Sequence, residues 1–103
     1  MAQSDAQAVA WFRQAAAQGL AVAQRQLGVA YAEGRGVAPD QMRAYAWLQR
    51  AAEQDDADAQ FNLGVMLARG QGVDKDEARA VVWYRRAALQ GHCMAQYNLR
   101  GMC

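Results

Sequence analysis

Apolar residues recur along the chain at i, i+3, i+4, i+7 and i+8, the spacing that gathers them on one face of a helix. Three such runs are nearly superimposable: Ala8, Trp11, Phe12, Ala15 and Ala16; Ala44, Trp47, Leu48, Ala51 and Ala52; Ala80, Trp83, Tyr84, Ala87 and Ala88. Between them lies a second kind of run, with Ala23, Leu27, Ala30 and Tyr31 on one face. It is repeated as Ala59, Leu63, Met66 and Leu67, and begun again as Ala95, Leu99, Met102 and Cys103. The first kind is called helix B and the second helix A. The period is 36 residues with no gap, and residues 23–52 match residues 59–88 at 16 of 30 positions. A period in this range determines a whole architecture, because each unit must stack on its neighbours to bury its apolar face. The pattern predicts one all-α domain over residues 1–103: a leading helix B over 5–18, A–B pairs over 22–54 and 58–90, and a terminal helix A over 94–103. That is six helices in about 2.9 repeats.

The polar residues punctuate the same period. Ser4, Asp40 and Asp76 stand just before the B runs, where a side-chain oxygen can accept from the free amides of the first turn. Gly19 and Gly91 follow the B runs at the left-handed C′ position, and Asp55 replaces glycine in the middle copy at a conformational cost. Helix A is expected to end at Gly34 and Gly70. Gly28 and Gly64 lie inside helix A, where each costs about 1 kcal/mol against alanine, so close approach of the neighbouring helix B backbone is expected there. Val37 and Val73 are placed to plug the A-to-B turn into the core.

The string Ala-x3-Leu-Gly-x2-Tyr-x2-Gly-x-Gly-Val-x2-Asp-x3-Ala-x2-Trp-x3-Ala-Ala, from Ala23 to Ala52, resembles the Sel1-like repeat, a relative of the tetratricopeptide repeat. The resemblance covers almost the whole chain. It implies an α/α superhelical solenoid that acts as a scaffold or adaptor for proteins or peptides, without naming a partner. One branch of the family pairs cysteines eight residues apart, but the matching positions here, such as Ala52 and Gln60, are not cysteine. Arg100 and Gly101 stand where Gly28–Val29 and Gly64–Val65 stand in the earlier copies, and the arginine is expected to block a further helix B.

Composition agrees with helices. About a quarter of the residues are alanine, isoleucine and threonine are absent, and the hydrophobic fraction is 53% with a single proline. A net charge of +1 gives no general attraction to nucleic acid or anionic membrane. No apolar stretch approaches the roughly 18 to 20 residues of a membrane span, and Met1–Asp5 has no signal-peptide character, so the chain as given reads as cytoplasmic. It reads as periplasmic or secreted if a signal peptide belongs before Met1. An alternative function then follows, a factor acting on cell-wall material.

Candidate chemistry is sparse. His92 and Cys93 adjoin in the B-to-A turn, but sequence neighbours at a helix start project apart, and no orienting carboxylate is evident, so catalysis is not expected. Ten helical residues would hold Cys93 and Cys103 about 15 Å apart, too far for a bridge or a shared metal unless the last turn frays. No metal and no cofactor are predicted. The ten arginines against one lysine, several on B helices beside acids, read as a solvated outer face rather than an RNA or acidic-partner site. The three tryptophans, spaced at the structural period, are expected in the core.

A second face of helix A carries Val22, Arg25, Val29 and Ala32, then Asp58, Phe61, Val65 and Ala68, then Met94 and Tyr97. By similarity to tetratricopeptide domains this is the concave wall that receives peptides. Arg25, Val29, Phe61, Asn62, Val65, Arg69, Met94, Tyr97 and Asn98 are the candidate partner-binding residues, with the amides of Gln26, Asn62 and Asn98 able to bond a peptide backbone. Phe61 and Tyr97 are expected to pack between A helices as much as to face a ligand. The unpartnered ends, with Trp11 and Phe12 at one and Leu99 and Met102 at the other, suggest self-association or docking to a larger protein.

Overall fold

The computed structural model describes residues 5–100, with side chains described through residue 96; the predicted cap at Ser4 and the apolar end at Leu99 and Met102 lie outside that description. Six helices follow one another: α1 (Asp5–Ala17), α2 (Ala21–Glu33), α3 (Gln41–Glu53), α4 (Ala57–Arg69), α5 (Glu77–Leu89) and α6 (Cys93–Arg100). Odd-numbered helices are the B helices and even-numbered ones the A helices, with no strand among the described residues. Each helix packs chiefly on its neighbours in the chain. The result is a solenoid 40 Å along its longest axis and 26 and 24 Å across.

Local chemistry sets the boundaries. Asp40 accepts from the Arg43 amide at 3.1 Å and Asp76 from the Arg79 amide at 3.0 Å, so the two of the three predicted caps that lie among the described residues form. Two further caps were not foreseen: Asp56 accepts from the Ala59 amide at 2.9 Å, and His92 Nδ1 from the Ala95 amide at 3.2 Å. Gly19 and Gly91 take positive φ after the B helices, and Asp55 takes the same conformation at φ 68°, a cost to a residue with a Cβ. In the A-to-B loops, Gly36 and Gly72 have positive φ and also touch backbone. A Cβ on Gly36 would lie 2.3 Å from the Asp5 carbonyl oxygen, and one on Gly72 2.3 Å from that of Gln41. Each loop therefore docks on the start of the preceding B helix, and Val37 and Val73 pack against the core beside it.

Ala23, Leu27, Ala59, Leu63 and Leu67 of the A helices meet Ala44, Leu48, Ala51, Ala80 and Ala87 of the B helices in one continuous core. The internal glycines sit where these helices touch. A Cβ at Gly28 would lie 2.7 Å from Leu48 Cγ and 3.2 Å from the Ala44 carbonyl, and one at Gly64 would lie 2.6 Å from the Tyr84 ring. Side chains more than backbone fill the space that the glycines open.

The tryptophans do not share one environment. Trp83 is buried, Trp47 is partly buried, and Trp11 is 58% exposed, which corrects the expectation that all three are core. The reason is position: α3 and α5 each lie between two A helices, whereas α1 packs chiefly against α2.

A buried glutamine ladder joins successive repeats. Gln24 Nε2 donates to the Ala16 carbonyl at 3.2 Å, Gln60 Nε2 to Ala52 at 3.1 Å and Gln96 Nε2 to Ala88 at 3.0 Å. Gln54 Nε2 then donates to Gln24 Oε1 at 2.8 Å, and Gln90 Nε2 to Gln60 Oε1 at 3.0 Å. Gln60 is fully buried, and both ends of its amide are satisfied.

Candidate functional site

Two shallow cavities open along the A-helix wall. The first, about 180 Å³, is lined by Asp5, Ala8, Val9, Phe12, Gln26, Val29, Ala30 and Arg35. The second, about 200 Å³, is lined by Val29, Ala32, Glu33, Gln41, Leu48, Asn62, Val65, Met66 and Gln71. Advance the first lining by one period of 36 and six of its residues fall on the second: Asp5 on Gln41, Phe12 on Leu48, Gln26 on Asn62, Val29 on Val65, Ala30 on Met66 and Arg35 on Gln71. They are one site repeated, and Val29 forms the shared wall. The repeat builds it because a B helix start, the middle of the following A helix and the glycine loop converge at that point in both copies.

Val29, Val65 and Asn62 of the predicted set thus come together, with Gln26 joining them as the counterpart of Asn62. Arg25 is engaged elsewhere: its Nε lies 3.0 Å from Asp56 Oδ1, in an ion pair with side chains 20% and 9% exposed. Phe61, one period later, fills the same junction with a different chemistry. It stacks on His92 with centroids 4.8 Å apart and leans on Tyr84 at 5.8 Å. The packing role expected for Phe61 is therefore present, and the ring remains partly exposed. Arg69 is exposed at the end of α4, and Met94 is 53% exposed at the start of α6. Tyr97 and Asn98 belong to α6, and their side chains lie outside the described residues.

His92 has the carboxylate partner that sequence reading missed. Its Nδ1 accepts from Ala95, which leaves the proton on Nε2 to be donated to Asp58 Oδ1 at 2.9 Å. Both ring nitrogens are thus used in fastening α6. Cys93 is disulfide-bonded; the sequence allows a bridge to Cys103 only if the last turn frays, and Cys103 lies outside the described residues. A disulfide sulfur is not a free thiolate, so the pair has no nucleophile to activate.

On the opposite, B-helix side, Arg50 lies over Trp47 at 4.7 Å and Arg86 over Trp83 at 4.6 Å. At the α1–α2 contact Arg13 Nη2 donates to the Tyr31 hydroxyl at 3.1 Å, and Arg43 lies over the same ring. The hydrogen bond from Arg13, seconded by Arg43, holds the Tyr31 phenol below its usual pKa.

Comparison with known proteins places this geometry. The Sel1 repeat family model matches three times, at residues 1–20, 21–56 and 57–92. No curated protein matches the chain by sequence. Among solved structures, c5321, a protective antigen of uropathogenic Escherichia coli, is similar with a TM-score of 0.92 and 40% identity over 97% of this chain and 22% of that one. A Sel1 repeat protein of Oxalobacter formigenes is similar at 0.90 and 36% identity, over 95% of this chain and 40% of that one. Cysteine-rich protein B of Helicobacter pylori is similar at 0.80 and 28% identity, over 84% of this chain and 65% of that one. The chain thus spans about a fifth of the first of these and two fifths of the second. With three repeat matches covering most of its length and solenoids of the same kind as its structural neighbours, the chain belongs to the Sel1-repeat family.

Proposed function

We propose that the chain is a non-enzymatic interaction module that holds a peptide segment of a partner protein along the A-helix wall. The observation that carries this reading is the recurrence of one cavity in two successive repeats. A peptide lying across the repeats meets an apolar wall at Val29 and again at Val65, each beside an amide, Gln26 or Asn62, that both donates and accepts. The half-exposed valines give contact area, and the amides pair with an extended backbone that has lost its water. Arg25 and Phe61 contribute by holding successive A helices in register, through Asp56 and His92 respectively.

Selection from a displayed peptide library tests this. The wild-type chain is expected to enrich a shared motif, and Val65→Arg, which drives a long charged side chain into the wall, is expected to lose those peptides. Arg50→Glu, on the B side, is expected to retain them. Circular dichroism guards against unfolding. Equal binding by Val65→Arg, or loss through Arg50→Glu alone, contradicts the groove.

A further inference from the structure

The two cavities share a frame but differ where recognition is decided. Where the first has Asp5 and Arg35, the second has the neutral amides Gln41 and Gln71, and Glu33 is the one charged residue in its lining. Gln41 Nε2 is committed to the Ala32 carbonyl at 3.0 Å, which fixes the orientation of the amide. Its Oε1 is buried and has no hydrogen-bond partner among the described residues. A buried acceptor without a donor is uncommon in a folded protein and marks a place where a donor is expected. The same cavity is lined by the apolar side chains of Val29, Leu48, Val65 and Met66.

We propose that this second cavity takes a lysine or arginine side chain of the peptide that occupies the groove. The proposal rests on the peptide-groove reading and gives it a specificity. A long aliphatic stem suits the valine and methionine walls, and its cationic head carries only donors. Those donors meet the Glu33 carboxylate and the acceptor that Gln41 has left over. A neutral amide would satisfy Gln41 and leave Glu33 unused, and an acidic side chain would face Glu33 with like charge. The first cavity is not equivalent, because Arg35 lines it where Gln71 lines the second. Arg35 now lies 3.6 Å from Glu33, with the two side chains 62% and 50% exposed. That is a screened surface contact, and displacing it strands no buried charge.

Three acetylated and amidated pentapeptides, Ala-Ala-X-Ala-Ala with X as lysine, norleucine or glutamate, test the assignment by NMR titration of the whole chain. The readout is the side-chain amide signals of Gln41 and Asn62 and the methyls of Val29 and Val65. The lysine peptide is expected to saturate these shifts at about fivefold lower concentration than norleucine, with glutamate weakest. In Glu33→Gln that advantage is expected to shrink to less than about twofold. Norleucine binding as well as lysine, or a lysine advantage that survives Glu33→Gln, overturns the cationic assignment while leaving the groove in place. If none of the peptides moves Val29 or Val65, the groove reading itself fails and takes this inference with it.

Discussion

Trp11, Trp47 and Trp83 share one position of the repeat, yet burial differs among them, so equal substitutions have unequal costs. Trp83→Ala is expected to cost roughly 3 to 5 kcal/mol, while Trp11→Ala, at 58% exposure, is expected to cost less than about 1 kcal/mol in urea denaturation. Tyr31 supplies a pH dependence. Its phenol is held below the ordinary value by Arg13 first and Arg43 second, so the folded state gives up this proton more readily than the unfolded chain. The resulting stabilisation is fully present above the unfolded value of about 10 and is lost as pH falls through the folded value. Wild type should therefore gain stability relative to Tyr31→Phe as pH rises toward 10. In Arg13→Ala the tyrosine titration, followed by ultraviolet absorbance, should move back up.

Within each element, side-chain periodicity and capping chemistry were legible in the sequence because they are local: Asp40, Asp76, Gly19 and Gly91 act through their own turns. Relations between elements were harder to see. Asp56 and His92 serve as caps and also reach across repeats, to Arg25 and to Asp58 and Phe61, and no short window contains both members of such a pair. The glutamine ladder was missed because a polar residue inside a helix reads as solvated. The available signal was that Gln24, Gln60 and Gln96 recur with the same period as the leucines. The internal glycines yield a prediction. Alanine gains about 1 kcal/mol of helix propensity at either site. At Gly28 the added methyl meets a branched carbon of Leu48 and a carbonyl. At Gly64 it meets the Tyr84 ring, which is itself buried and packed on Phe61. Gly28→Ala and Gly64→Ala are each expected to lower stability by about 1 to 3 kcal/mol, as thermal melts would report.

Across the whole molecule, stability follows from stacking similar units, and the proposed recognition rests on the same stacking. The ladder places a buried amide where the cysteine-rich branch of the family is expected to place a cysteine: Gln60 reaches the Ala52 carbonyl across the same eight-residue spacing. Gln60→Leu removes one of two hydrogen bonds to the Ala52 carbonyl, which keeps the Asp55 amide at 3.0 Å, and turns the exposed Gln90 amide to water, and is expected to cost about 1 kcal/mol by chemical denaturation. The same stacking turns one cavity into two, a feature that the sequence contained as Gln26–Val29 and Asn62–Val65 but that only the convergence of helix start, helix middle and loop made into a site. Chemical-shift mapping of the chain with a library-selected peptide bound is the sharpest test of the groove. A peptide in the groove gives paired perturbations at Gln26 and Val29 and at Asn62 and Val65, with Arg50 and Arg86 on the B side unmoved. Perturbations confined to the B side, or absent from either cavity, would contradict it.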